Sequence, residues 1–208
     1  MAHDRSPGDV RLFDRFATVY DRFKPATDAA TVAPALELAE RDVTRVLDVG
    51  GGSGQGVRGL DIASSLVVDP APGMVRRAAD RGVAAVRGDG RHLPVRDESV
   101  DAVLILDALH HMHDRAAVIE EAARILEPGG VLAVLEFDPT TLPGRALVAG
   151  EHLVGFDSQF YTPADLAARV RAAGLRASIP RRGFEYLVAG VKPAESGDTS
   201  PPGPNGPA

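Results

Sequence analysis

The chain has 208 residues, of which 44% are apolar, and a net charge of −6. That length suits one domain with a sizeable core and a short appendage. The acidic balance gives no global basic field to attract nucleic acid, and the lack of cysteine excludes disulfides and thiolate metal sites. Charges run through Met1–Tyr20 without an apolar h-region, so no signal peptide is read. No uninterrupted apolar run approaches the ~18 residues of a membrane-spanning helix, and a cytoplasmic protein is expected.

Residues 1–9 are polar and expected to fray. Leu12, Phe13, Phe16, Val19, Tyr20 and Phe23 fall at helical spacing and predict a helix over residues 10–24. A second helix is expected from about Asp28 to Glu40, with Pro34 as a point where it could start afresh. Residues 1–40 therefore read as a helical cap, and 41–192 as the main domain.

That domain opens on Arg45-Val46-Leu47-Asp48-Val49, a short run suited to a buried parallel strand. Gly50, Gly51, Gly52 and Gly54 follow, and residues without a Cβ let the chain turn sharply and let a ligand lie against bare backbone. A helix is expected from near Ser53, with its free N–H groups directed at the same space. The string Gly54-Gln55-Gly56-Val57-Arg58-Gly59 has the dinucleotide pattern, but it begins too far past the strand end. In the correct register Asp48 precedes the first glycine, where a carboxylate would repel a pyrophosphate and suit a ligand carrying an ammonium group.

Further strands are expected at 65–68, 83–86, 100–106 and 131–136, with a helix over 115–126 that stops before Pro128-Gly129-Gly130. Four such β–α repeats predict a parallel sheet covered on both faces. Residues 138–162 interrupt the pattern with Pro139, Pro143 and Gly144, then a helical stretch over 145–154. This insert follows a strand's carboxyl end, where α/β proteins place ligands. Thr162-Pro163-Ala164-Asp165 is a helix start, with Thr162 as N-cap and proline at the first helical position. Strands at about 175–180 and 184–191 complete the sheet, and the Pro-, Gly- and Ser-rich stretch 193–208 is expected to be disordered.

Asp48, Asp69, Asp89 and Asp107 each end a predicted strand, about one β–α unit apart. Carboxyl ends of parallel strands share one edge, so the four acids would line one crevice. His110, His111 and His113 lie just past the fourth strand. A neutral imidazole there could take a proton, so His110 and His111 are the catalytic candidates. His110 and His113 could meet on one face, yet this stretch offers fewer ligands than a zinc site needs, and no metal is expected. Tyr20, Arg145, His152 and Tyr161 are candidates for lining an acceptor pocket.

Asp48-Val49-Gly50-Gly51-Gly52-Ser53-Gly54 resembles the S-adenosylmethionine motif of the class I methyltransferases. Asp69 and Met74 match that family's D-x-x-x-x-M spacing; Gly88-Asp89-Gly90-Arg91-His92-Leu93-Pro94 is similar to its G-D-A-x-x-L-P segment; Arg124–Gly130 is similar to R-V-L-K-P-G-G. Phe13–Asp21 and Leu135-Glu136-Phe137-Asp138-Pro139 further resemble the F-D-x-x-A-x-x-Y-D and L-E-F-S-x-P segments of the ubiquinone/menaquinone C-methyltransferases, in which the first helps close over the cofactor. One departure stands out: those enzymes carry a G-x-R-N segment after strand four, its R-N pair tied to catalysis, where this chain has Asp107-Ala108-Leu109-His110-His111-Met112-His113-Asp114.

The resemblance implies a Rossmann-like fold with a mostly parallel seven-stranded sheet, and methyl transfer from S-adenosylmethionine to a small molecule, a quinol or another aromatic or lipophilic metabolite. Asp48 with the backbone at Gly50, Gly51, Gly52 and Gly54 would hold the amino-acid end. Asp69 would hold the ribose diol, Pro70 and Met74 would offer apolar surface to the adenine, and Asp89 and Gly90 would meet its polar edge. Asp107 and Ala108 would border the methionyl part. A quinol acceptor would imply peripheral membrane contact. A non-catalytic domain binding S-adenosylmethionine or S-adenosylhomocysteine, and an NAD-dependent oxidoreductase using the glycine string at 54–59, are the alternatives.

Overall fold

The protein's structure, a computed structural model, describes residues 29–156 and 158–194. The expected helix at 10–24, Tyr20 within it and the stretch 195–208 lie outside the described residues.

Seven strands form one sheet: β1 (Arg45–Val49), β2 (Ser64–Asp69), β3 (Ala85–Arg87), β4 (Val100–Leu106), β5 (Leu126–Phe137), β6 (Arg176–Arg181) and β7 (Glu185–Val191). Their order across the sheet is β3-β2-β1-β4-β5-β7-β6. The first five strands are parallel, while β7 runs antiparallel to both β5 and β6. Helices α1 (Ala29–Leu36), α2 (Gln55–Arg58), α3 (Pro72–Asp80), α4 (Arg115–Ile125), α5 (Leu142–Val154) and α6 (Pro163–Ala172) join and cover the strands.

Alternation along each strand builds a core on either face. On β4, Val103 and Ile105 join one apolar cluster with Ile119 of α4 and Leu166 of α6. Ala102, Leu104 and Leu106 point the other way, into a second cluster with Val32 and Ala35 of α1. Side chains that alternate in this way bury both faces of the strand, which accounts for the unbroken apolar run.

Several boundaries differ from expectation. Helix α5 already begins at Leu142, with Thr141 as its cap and Pro143 and Gly144 in its first turn rather than breaking the pattern, because proline is tolerated at a helix start, and β3 is shifted to Ala85–Arg87. The helix expected to begin near Ser53 is the single turn α2, so its dipole adds little and the glycine turn alone shapes the first crossover. Helix α1 ends at Leu36, two residues past Pro34, and tight turns carry the chain on to Ala39. Strand β5 starts at Leu126 rather than Val131, because Leu126 pairs with Val100 before a register shift and Gly129-Gly130 stay in the ladder by bonding Lys192. Gly129 holds a φ of 80°, a left-handed conformation that favours glycine.

The amino ends of β1 and β4 are braced together. Asp101, 1% exposed, accepts from the Thr44 and Arg45 N–H groups and from the Thr44 hydroxyl, and its other oxygen meets Arg45 and Arg41. Burial opposes ionisation of this carboxyl, but the Arg45 and Thr44 hydrogen bonds outweigh it and hold the group well below the usual range. This brace lies at the end of the sheet opposite the carboxyl edge.

Candidate active site

The carboxyl ends of β1, β2, β3 and β4 carry the residues predicted for the cofactor and the two catalytic candidates. Gly50 and Gly52 hold φ values of 70° and 57°, so the turn after β1 needs residues without a Cβ. A Cβ on Gly50 would also lie 2.6 Å from the Met112 side chain. Asp48 is buried beneath this turn, its carboxylate against the space that a Cβ on Gly51 or Gly56 would occupy. The acid therefore lies under the glycine cradle and sets its shape from below.

Asp69 ends β2 and is 7% exposed. One oxygen accepts the Gly52 N–H at 3.0 Å and the other the Ala71 N–H at 2.8 Å. Burial pushes its carboxyl up to about 6, against the pull of those two hydrogen bonds. A carboxylate offers about four lone-pair sites, so each oxygen keeps one for a further donor, the number a vicinal diol needs. Met74 is 2% exposed, with its sulfur 3.7 Å from where a Cβ on Gly52 would be; it packs under the turn as core. Pro70 is exposed beside it.

Asp89, after β3, is engaged by Arg91: the guanidinium reaches both oxygens at 2.6–3.1 Å, and the Arg91 N–H bonds one of them. Any adenine amine bound here would share the carboxylate with that arginine. Gly90 sits close under Val49 and Val118.

At the end of β4, Asp107 takes a φ of 52°, unusual for a side-chain-bearing residue. Ala108 follows, buried. A short 3-10 turn, Leu109–His111, then brings in the histidines. His110 is 2% exposed. Its Nδ1 lies 2.7 Å from Glu136 Oε2, and its backbone N–H donates to Glu136 Oε1 at 3.1 Å. Its ring stacks on Phe160 at 4.3 Å and lies 4.0 Å from the His111 ring. Burial alone would lower the His110 imidazole; the carboxylates of Glu136, Asp107 and Glu151 outweigh it and raise it. Glu151 is itself raised by burial.

The stretch around Ser158 folds over these rings. Ser158 Oγ is 3.1 Å from His111 Nδ1, the Ser158 carbonyl is 3.1 Å from His152 Nε2, and the Gln159 N–H donates to the His110 carbonyl. Of the other predicted residues, His152 reaches the cluster through the Ser158 carbonyl and is exposed, as are His113 and Arg145. Tyr161 is wedged between the guanidiniums of Arg115 and Arg169, at 4.5 and 4.4 Å, and its carbonyl accepts from the Tyr186 hydroxyl.

Glu136, Glu151 and Ser158 are parts of this cluster that were not predicted from the sequence. A lone acid at the end of the apolar run Val131–Leu135 was the available signal for Glu136.

Residues 47–134 match the family described as "Methyltransferase domain". A demethylmenaquinone methyltransferase of Corynebacterium kroppenstedtii is 31% identical over 159 residues, 73% of this chain and 69% of that one. A second, from Corynebacterium urealyticum, is 37% identical over 121 residues, which is 57% of this chain and 52% of its own length. A solved structure from Thermotoga maritima, described as a SAM-dependent methyltransferase and possible histamine N-methyltransferase, superposes with a TM-score of 0.74 at 25% identity, covering 88% of this chain and 99% of that one. With the strand order and the glycine turn already in place, these matches show that the chain belongs to the class I S-adenosylmethionine-dependent methyltransferases, resembling the menaquinone methyltransferases among them.

Proposed function

We propose that this enzyme methylates a small aromatic or lipophilic acceptor bound at the carboxyl ends of β4 and β5. S-adenosylmethionine, when bound, supplies an electrophilic methyl group on a sulfonium. The chain's own part is to hold the nucleophile in line with that methyl and to keep water out. In this reading the backbone at Gly50, Gly51, Gly52 and Gly54, shaped by Asp48 below, receives the amino-acid end. The spare lone pairs of Asp69 accept the ribose hydroxyls. Pro70, Met74, Asp89 and Gly90 border the adenine, and Asp107 and Ala108 the methionyl part.

The observation that carries the acceptor's place is the buried His110, fixed by Glu136 and stacked on Phe160 at the edge where β4 ends. An acceptor with an acidic hydroxyl would lose its proton in this cluster, and Phe156 and Phe160 offer it aromatic surface. The names of the relatives favour a quinol. The segment Asp107–Asp114, histidine-rich and without the Arg-Asn pair of that resemblance, favours a different acceptor or a different way of handling its proton.

Calorimetric titration of the purified chain with S-adenosylmethionine, S-adenosylhomocysteine and NADH, repeated on Asp69→Ala, tests the cofactor site. The first two are expected to bind the parent and not the variant; NADH binding alone would overturn the reading. Quinols and phenols offered with labelled S-adenosylmethionine then test the acceptor, with label transfer expected and its loss in His110→Ala or His111→Ala. A quinol acceptor further predicts co-flotation with lipid vesicles, for which Leu142 and Leu153 of α5, 82% and 88% exposed, supply apolar surface.

A further inference from the structure

The histidine segment by itself holds too few ligands for an ion, but the fold adds to it. Helix α5 brings Glu151 to the histidines, and a ring nitrogen of His110, a ring nitrogen of His111 and a carboxylate oxygen of Glu151 all lie within 4.8 Å of one another. His110 Nε2 is buried without a hydrogen-bond partner, and so is Glu151 Oε2. His110 Nε2 stands 3.7 Å from Glu151 Oε1 and 3.8 Å from Asp107 Oδ1. These separations are too long for hydrogen bonds. They are close to the spacing of two ligands on one ion, about 3.4 Å for bonds of about 2.1 Å at a tetrahedral angle.

The surroundings are those of a ligating histidine. Glu136 sits 2.7 Å from His110 Nδ1, which places the ring proton there and turns the Nε2 lone pair into the cluster. Glu136 is fixed in turn by the His110 backbone N–H. Ser158 bonds the His111 ring and also Glu151, orienting both. Two carboxylates, Asp107 and Glu151, face His110 Nε2 while a third, Glu136, holds its Nδ1, and so much negative charge in a largely buried site is costly. A divalent cation would offset it, and the enclosed cluster suits an ion better than a bulky group.

We infer that His110, His111 and Glu151 form a binding site for a divalent first-row transition metal, with Asp107 beside it and Glu136 as the outer partner of His110. Two imidazoles and one carboxylate leave coordination positions open. The inference rests on the acceptor reading only for the ion's use: at an open position it would acidify an acceptor hydroxyl as a Lewis acid, so that the histidines act through the metal.

The test is direct binding, without cofactor or acceptor. The full chain, stripped with a chelator, is titrated with Co²⁺ by visible absorption and with Zn²⁺ by calorimetry. One equivalent is expected, with ligand-field bands of nitrogen and oxygen ligation. His111→Ala and Glu151→Gln, both at partly exposed positions, should weaken binding at least tenfold with an unchanged circular dichroism spectrum, and Glu136→Gln by about 10–100-fold. No stoichiometric binding, or equal binding by parent and variants, overturns the site. Should the variants fail to fold, paramagnetic broadening of the His110 and His111 ring resonances by Co²⁺ in the parent decides, and its absence counts against the site. Metal binding without methyl transfer would leave this inference standing and sink the acceptor reading, whereas methyl transfer without metal binding would do the reverse.

Discussion

At Asp69 two demands meet in one carboxylate. It ties Gly52 to Ala71, which shapes the cradle, and in the proposed site it also receives the ribose hydroxyls. Its carboxyl lies near 6 in the fold against an ordinary 3.8, so the folded state holds this proton more tightly than the unfolded chain does. Stability from this group is therefore fully present below its unfolded value and is lost as pH rises through about 6, an effect of roughly 3 kcal/mol at most. Ribose hydroxyls donate to the ionised form, so cofactor affinity should run the opposite way. Calorimetry at pH 5 and pH 8 should show about tenfold weaker S-adenosylmethionine binding at the lower pH, since about a tenth of the carboxyl is then ionised. A flat profile would remove Asp69 from the ribose.

Single elements depend on a few polar contacts whose cost can be measured. Asp101 braces the starts of β1 and β4, and Asp101→Ala leaves two backbone N–H groups and the Thr44 hydroxyl without this acceptor and the Arg41 and Arg45 guanidiniums with Glu127 as their remaining carboxylate. Urea unfolding should report a loss of about 3 kcal/mol, the low end for one partner of a buried pair, because the guanidiniums are partly solvated. Cofactor affinity should not change, since the brace stands at the far end of the strands. Its stability is present above the ordinary carboxyl pKa and is lost as pH falls through the lowered value in the fold. Thr162 accepts the Asp165 N–H at the start of α6, and Thr162→Ala should cost about 1 kcal/mol in the same assay. That cap was legible in the sequence because its chemistry is local: cap, proline and acid fall within four residues. The glycine turn was legible for the same reason. Glu136 was not, because its partner His110 lies 26 residues away and only the β4–β5 pairing brings them together. Glu151 was hidden differently, since nothing in the pattern of α5 says which side faces the histidines. The start of β5 was misplaced because Pro128-Gly129-Gly130 has turn chemistry, and its place in the ladder comes from Lys192 at the far end of the fold.

For the whole molecule, the strand order explains why four acids spaced along the chain gather at one edge: parallel strands end together, and β4 crosses back to lie beside β1. Ligands in open α/β sheets bind at that reversal of strand order. A ligand bound there holds β1, β2 and β4 in register at once, so S-adenosylhomocysteine at a hundred times its dissociation constant should raise unfolding stability by about 2.7 kcal/mol in the same urea assay. No shift at saturation would mean that the edge does not receive it. Among the described residues no helix is long and apolar enough to cross a membrane.

The reversal of β7 has a practical side. Because it runs against β5, it starts opposite Phe137 at the carboxyl edge of the parallel strands and finishes opposite Val131, where Lys192 bonds Gly130 at the other end of the sheet. The backbone thus leaves β7 at the pole remote from the proposed site. Anchoring the enzyme to a bead or sensor through sequence beyond Lys192 would present the crevice outward to dissolved reactants, whereas an anchor on α5 would turn it toward the support.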